Sequence, residues 1–219
     1  MKKNILTIEQ KKKSVIDDYN DIAQEYTEKF FEDKSDEKYI DQFLLILEGK
    51  NILDVGCGNG RDCKYISQKG FKIKGIDLSK KMLIIAKKMI PNIEFELMDI
   101  ANITYPDNSY DGIISNCSLF HIPVKELPQT LNSFFKILKP NGKLLLILQE
   151  GVGEKMVEEP FRKGIYIYMN YFSVKRISDL LLKYGFKIDS ISKEKSINDL
   201  ELGEGKLIVL AHNIKHKNL

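Results

Sequence analysis

Asn51-Ile-Leu-Asp-Val-Gly-Cys-Gly-Asn-Gly60 is the stretch whose reading decides the fold. Ile52 to Val55 is a short apolar run interrupted by one acid, Asp54. Three glycines follow, Gly56, Gly58 and Gly60, with Cys57 between the first two. After them, Arg61 to about Gln68 has the composition of a helix, and Gly70 is its stop signal. A strand that passes through a glycine-rich turn into a helix lets bare backbone approach a ligand. The unpaired N–H groups of the helix point into the same space. The stretch predicts a nucleotide-type site.

The spacing narrows the ligand. A dinucleotide fingerprint is G-x-G-x-x-G. Here the third glycine comes one residue early, as Gly56-x-Gly58-x-Gly60. A phosphate loop requires Gly-Lys-Ser/Thr, and Arg61-Asp62 stands in that place. An acid two residues before the first glycine suits a cation better than a pyrophosphate. S-adenosylmethionine carries a sulfonium and an ammonium and has no phosphate, so a cationic, adenosine-containing ligand is the expectation.

Outward from this stretch the chain alternates strand and helix. Phe71 to Ile76 predicts a strand that ends at Asp77; Ser79 caps a helix over Lys80 to Ile90, which Pro91 stops. A third strand, Ile93 to Leu97, ends near Asp99. Tyr110 to Ser115 is a fourth, followed by a helix over about Val124 to Leu138. Lys139-Pro-Asn-Gly142 reads as a tight turn into the apolar strand Lys143 to Leu148. Such alternation predicts a parallel sheet with ligands at the strand C-termini.

Both flanks are less regular. Lys2 to Lys13 reads as a frayed basic lead-in. Ser14 is the expected cap of one helix over Val15 to Phe30, on which Val15, Tyr19, Ile22, Ala23 and Tyr26 share a face. That face either packs on the domain or closes a ligand site. A second helix is expected near Asp36 to Leu47. Past Gln149, Glu150 to Glu154 reads as a loop and Gly164 to Phe172 as a strand. Ser173 caps a helix over Val174 to Tyr184, and Phe186–Ile191 and Lys206–His212 form a closing hairpin. The tail from Lys215 reads as disordered.

Composition sets outer limits. The 219 residues suit a single domain: a helical cap over 14–47, a cofactor-binding core over 50–148, and a substrate-side segment with closing strands over 149–213. The net charge of +3 is too mild to indicate nucleic acid or an anionic membrane. No apolar run approaches the ~20 residues of a membrane span. The N-terminus lacks the apolar core of a signal peptide, and three cysteines in unrelated contexts argue against a disulfide framework or zinc cluster. The expected compartment is the cytoplasm, and the oligomeric state, monomer or homodimer, stays open.

Polar residues then gather at the predicted strand ends: Asp54, Asp77, Asp99 and Asn116. Asp77 is placed to accept both ribose hydroxyls, a bidentate task for a carboxylate. Asp99 could accept from an adenine amino group. Leu78 and Ile100, each just past an acid, could supply apolar faces to the ring. Asn116 would lie near the ligand's ammonium or the reacting centre. One aspartate alone would be a turn former; three in successive α/β units beside the glycine turn are harder to assign that way.

The chain resembles the class I S-adenosylmethionine-dependent methyltransferases, most closely the small-molecule branch with ubiquinone/menaquinone-biosynthesis-like and tellurite-resistance-like members. Leu53-Asp-Val-Gly-Cys-Gly-Asn-Gly60, Gly75-Ile-Asp-Leu-Ser79, Met98-Asp-Ile100, Tyr110 to His121 and Leu138 to Leu144 resemble the family's successive motifs. Tyr19-Asn-Asp-Ile-Ala-Gln-Glu-Tyr26 is similar to its N-terminal Y-x-x-x-A-x-x-Y helix, which implies cofactor contacts for Tyr19 and Tyr26. The resemblance implies a Rossmann-like, doubly wound, seven-stranded α/β sheet, mostly parallel with an antiparallel last strand. It implies S-adenosyl-L-methionine as methyl donor, with Asp54, Gly56, Cys57, Gly58, Gly60, Asp77, Leu78, Asp99, Ile100 and Asn116 binding it. No metal is expected.

In-line methyl transfer needs a general base only when the acceptor carries a proton that must leave. His121, shortly after the fourth strand, is the candidate; the alternative is a structural histidine bonded to a backbone carbonyl. The acceptor is expected to be a small molecule rather than nucleic acid, because Asn116-Cys-Ser-Leu lacks the Pro-Pro-aromatic run of amino-methylating nucleic-acid enzymes. Phe161, Tyr166, Tyr168, Tyr171 and Phe172 read as a half-buried strand or as an aromatic pocket wall, and Arg162 and Lys163 would tolerate an anionic group. Two other functions stay in view: a regulatory protein that binds the cofactor without methyl transfer, and, less favoured by the glycine spacing, a nicotinamide oxidoreductase.

Overall fold

The computed structural model describes residues 6–195 and 204–215. Seven strands form one sheet in the order β3-β2-β1-β4-β5-β9-β8. They are β1 Asn51–Val55, β2 Lys72–Asp77, β3 Glu94–Leu97, β4 Tyr110–Asn116, β5 Leu138–Gln149, β8 Phe186–Lys195 and β9 Gly205–Asn213. β1 to β5 pair in parallel, and β9 lies antiparallel between β5 and β8. This is the doubly wound, mixed seven-stranded sheet expected from the sequence, closing hairpin included. Leu144 to Leu148 are fully buried, as a strand covered on both faces requires.

Helices α4 Arg61–Gln68, α5 Lys80–Met89, α6 Leu127–Ile137 and α7 Val174–Lys183 carry the crossovers. Ser79 accepts from the Met82 N–H and Ser173 from the Arg176 N–H, as the cap readings predicted. Before α6, Val124–Glu126 forms a separate 3₁₀ turn, with Pro128 in the helix's first turn. The turn read at Lys139–Gly142 lies inside β5, where the β4–β5 register shifts and Asn141 takes a φ of +64°.

The N-terminal reading needs correction. Helix α1 runs Ile8–Asp21, not from Val15, and starts on a capping box: Thr7 Oγ accepts from the Gln10 N–H, and the Gln10 side chain reaches back to the Thr7 N–H. Lys11 to Lys13 are helical rather than frayed. The helix breaks at Ile22 (φ −90°, ψ 3°), and α2 Ala23–Phe30 continues in a new direction. Neither Pro nor Gly marks the break; α1 is seated on β7 (Arg162–Asn170) and α5, and α2 on α5. Helix α3 occupies Glu37–Leu45. A strand that the sequence did not signal, β6 Glu154–Glu159, pairs antiparallel with β7 in a separate two-stranded sheet. The readings at residues 1–5 and 216–219 lie outside the described residues.

Candidate active site

The C-terminal ends of β1, β2 and β4 open onto one cavity, roofed by α1 and α2, that encloses ≈ 970 Å³ with its mouth. Of the thirteen residues singled out, eleven line it; Gly60 and Asp99 do not.

The three glycines serve three different ends. A Cβ on Gly56 would stand 2.2 Å from the Ser118 Cβ, and one on Gly60 2.9 Å from Ile90 and Phe95. Both are glycine because protein packs against them. Gly58 has φ +52° and nothing within 4 Å of a Cβ position, so it alone of the three presents bare backbone to open space. Beneath Gly56, Ser118 Oγ donates to the Val55 carbonyl at 2.5 Å. Cys117 reaches this crossing with φ +55°, a left-handed backbone that is uncommon outside glycine.

Asp77 Oδ2 accepts from the Gly58 N–H at 2.9 Å and Oδ1 from the Ser79 N–H at 2.7 Å, so one carboxylate holds the glycine turn and the start of α5 together. Burial raises its pKa against those backbone donors. Asp54 is 2% exposed and, among the described residues, accepts only from Cys63 Sγ, at 3.3 Å. Burial first, then nearby Asp62, holds its carboxyl well above the usual range. Such an acid regains its charge when a cation approaches.

Asp99 is turned aside. Its Oδ2 takes the Lys12 ammonium at 2.5 Å and its Oδ1 the Ala101 N–H at 2.9 Å. Lys12, not Asp99, borders the cavity here. Leu78 and Ile100 do line it. Asn116 donates from Nδ2 to Asp62 at 2.9 Å and to Asp36 at 3.2 Å, while its buried Oδ1 has no protein partner. Arg61 bonds Asp62 and reaches Asp33 and Asp36, and Lys206 bonds Asp36 at 2.9 Å. This buried network was missed; the only sequence signal was the Arg61-Asp62 pair that follows the glycines.

From the roof, Tyr19 meets His121. The Tyr19 hydroxyl lies 3.1 Å from Nε2, and Nδ1 lies 3.0 Å from the Tyr168 carbonyl oxygen. A carbonyl only accepts, so Nδ1 carries the proton, Nε2 is the lone-pair nitrogen, and Tyr19 donates to it. Burial pulls the His121 pKa down to about 4 and pushes that of Tyr19 well up. His121 thus bonds a backbone carbonyl through one nitrogen, as the structural reading has it, and meets the Tyr19 hydroxyl at the cavity through the other. Burial also lifts the Tyr26 hydroxyl to about 12. Asn20, beside Tyr19, ties the roof to the cofactor side by accepting from Ser79 Oγ and the Lys81 N–H.

A second cavity adjoins the first and shares seven lining residues with it, Tyr19, Tyr26, Phe30 and His121 among them. Of the five aromatic residues read after Gln149, only Phe161 lines it. Tyr168, Tyr171 and Phe172 are buried elsewhere, and Tyr166 is exposed. Arg162 is taken by Asp21 at 2.9 Å and does not border the cavity.

Residues 52–142 match the family described as Methyltransferase domain. Over those residues the chain carries a methyltransferase domain. This methyltransferase domain is 42% identical over 108 residues to phosphoethanolamine N-methyltransferase 1 of Zea mays, a match that covers 47% of this chain and 21% of that protein. The chain thus spans about a fifth of that relative's length. The phosphoethanolamine N-methyltransferase of Plasmodium falciparum is 27% identical over 178 residues, 78% of this chain and 64% of that one. In fold, the methyltransferase domain and its flanks superpose on the Burkholderia thailandensis 1,6-didemethyltoxoflavin-N1-methyltransferase, whose structure holds S-adenosylhomocysteine. The TM-score is 0.74 at 15% identity, over 98% of this chain and 94% of that one. Among the described residues no helix is long and apolar enough to cross a membrane, and no cluster of His, Cys, Asp or Glu could hold a metal.

Proposed function

We propose that the chain transfers a methyl group from S-adenosyl-L-methionine to the nitrogen of a small amine acceptor. The observation that carries this reading is that one cavity collects the bare Gly58 backbone, the buried acids Asp54 and Asp77, and the Tyr19–His121 pair. The relatives' names supply the amine, and phosphoethanolamine is the first acceptor to try.

The residues present fit the donor. Gly58 leaves a cradle that a Cβ would fill, and Asn116 Oδ1 is a buried acceptor without a partner. Asp54 suits the cationic end, Leu78 and Ile100 the adenine, and Asp77 the ribose. Asp99 acts indirectly, by holding Lys12 at the rim. Gly56 and Gly60 shape the turn, Cys57 packs within it, and Tyr26 closes the roof. When bound, the sulfonium supplies an already activated methyl, so the protein's part is to align and desolvate. Alignment of two bound reactants contributes on the order of 7–11 kcal/mol.

The acceptor's proton leaves through the roof. The lone-pair nitrogen of His121 is bonded by the Tyr19 hydroxyl, so the Tyr19 oxygen takes the proton as it passes its own to Nε2. We assign the helical cap, the cofactor core and the substrate-side segment to one domain, which acts in the cytoplasm. The free thiols of Cys57, Cys63 and Cys117 support that compartment. A small acceptor is favoured over nucleic acid because α1 and α2 roof the cavity.

Calorimetric titration with S-adenosylhomocysteine tests the reading. The wild type should bind, and Asp77→Ala should bind at least about tenfold more weakly. Unchanged affinity in that variant would overturn the site, and cofactor binding without turnover of any amine would leave the regulatory alternative in its place.

A further inference from the structure

The second cavity adds Phe161 and Glu159, which do not border the donor cavity, to Tyr26 and Phe30, which border both. Tyr26, Phe30 and Phe161 pack as a three-ring cluster, with centroids 4.7 Å apart for Tyr26–Phe30, 5.9 Å for Phe30–Phe161 and 6.3 Å for Tyr26–Phe161. All three rings border the cavity. So does Glu159, which is 4% exposed and sits on the same turn as Phe161; its Oε2 accepts from the Phe161 N–H at 2.7 Å.

We propose that Tyr26, Phe30, Phe161 and Glu159 form a receiving site for a cationic ammonium group, primary to tertiary on the acceptor and quaternary on a fully methylated product. The inference rests on the methyl-transfer reading and specifies its acceptor. Its warrant is the charge left uncompensated. Of the cations that border the cavity, Arg61 and Lys206 are committed to Asp33, Asp36 and Asp62, and Lys29 is exposed and lies over the Phe161 ring. Among the described residues no cation lies within ion-pair distance of Glu159. Arg162 acts on it from farther away and is bonded to Asp21. Burying an acid this way is costly unless a cation joins it. Burial accordingly raises the Glu159 pKa, a shift that an arriving ammonium would reverse.

The rings supply the second half of the recognition. An aromatic face attracts ammonium ions, quaternary ones included. Phe161 already takes one cation, the exposed Lys29 ammonium 5.2 Å from its centroid. A neutral acceptor of the same shape would gain the contact area but neither the ring attraction nor the Glu159 charge.

The test compares choline with its neutral isostere 3,3-dimethyl-1-butanol, titrated into the full chain saturated with S-adenosylhomocysteine. Choline should bind at least about tenfold more tightly, the scale of a desolvated cation–π contact with charge support. Phe161→Leu and Glu159→Gln should each remove most of that preference without changing S-adenosylhomocysteine affinity. Equal binding of the two probes to the wild type would overturn the inference and leave Phe161 a partner for Lys29 alone. So would a preference that survives both substitutions. Failure of S-adenosylhomocysteine to bind would instead sink the methyl-transfer reading, so the two failures are distinct.

Discussion

The Tyr19 hydroxyl donates to Nε2 of His121 across 3.1 Å, joining the N-terminal helix to the loop after β4. Together with the Tyr168 carbonyl the bond fixes the imidazole's tautomer, and it forms the proton route proposed above. His121→Ala should therefore lower kcat by ~10²–10⁴-fold, the usual range for a removed acid–base group. Tyr19→Phe should lower it too. Steady-state rates with phosphoethanolamine check this, alongside an unchanged S-adenosylhomocysteine affinity in His121→Ala.

The same histidine makes a pH prediction. Its folded pKa of about 4 lies below the unfolded value, so the unfolded chain binds the proton first as pH falls. The stability tied to neutral His121 is complete at neutral pH, and it is lost as pH drops from about 6.5 toward 4. Thermal melts of His121→Gln and wild type should differ in slope over that window. The wild-type rate should show no inflection near the ordinary histidine pKa.

Asp18 predicts the opposite slope. Burial, then repulsion from Glu159, raises its pKa to about 7 from an ordinary 3.8. Its folded pKa exceeds the unfolded one, so its contribution is fully present below the unfolded value and is lost as pH rises through about 7. Asp18→Asn should thus melt higher than wild type at pH 8, by roughly 2–4 °C for each kcal/mol recovered, and gain little at pH 4. A shift of equal size at both values would refute the assignment.

Two glycine substitutions should part ways. Gly56→Ala drives a methyl into Ser118 and should lose the fold, or melt far below wild type. Gly58→Ala meets no atom; it carries only the left-handed backbone cost of roughly 1–2 kcal/mol and puts a methyl into the cavity. It should fold and bind S-adenosylhomocysteine weakly. Circular dichroism melts with calorimetry separate the two outcomes.

Much of this was legible because local and tertiary signals agree. Asp54 and Asp77 stand where a strand end must present them, and Ser79 and Ser173 cap the helices their spacing announces. Asp99 misled because its partner, Lys12, lies 87 residues away in a segment whose lysines read as frayed. The pattern Thr7-Ile-Glu-Gln10 was the signal that would have placed that helix. The break at Ile22 has no local cause, so no local pattern could show it. Strand β6 reads Glu-Lys-Met-Val-Glu-Glu, too polar to signal a strand, and it exists through pairing with β7.

The position of β9 has a consequence for how the chain reaches its folded state. It fills the gap between β5 and β8, so β5 must wait for a partner that is made 56 residues after its own end. Until then Leu144 to Leu148 form an uncovered apolar edge, the kind of template on which other chains stack. A chain truncated before Gly205 keeps every residue that lines the donor cavity, losing only Lys206 from the network behind it, and should nonetheless accumulate as aggregate. For this protein, yield and solubility are governed from the opposite end of the sheet to its chemistry.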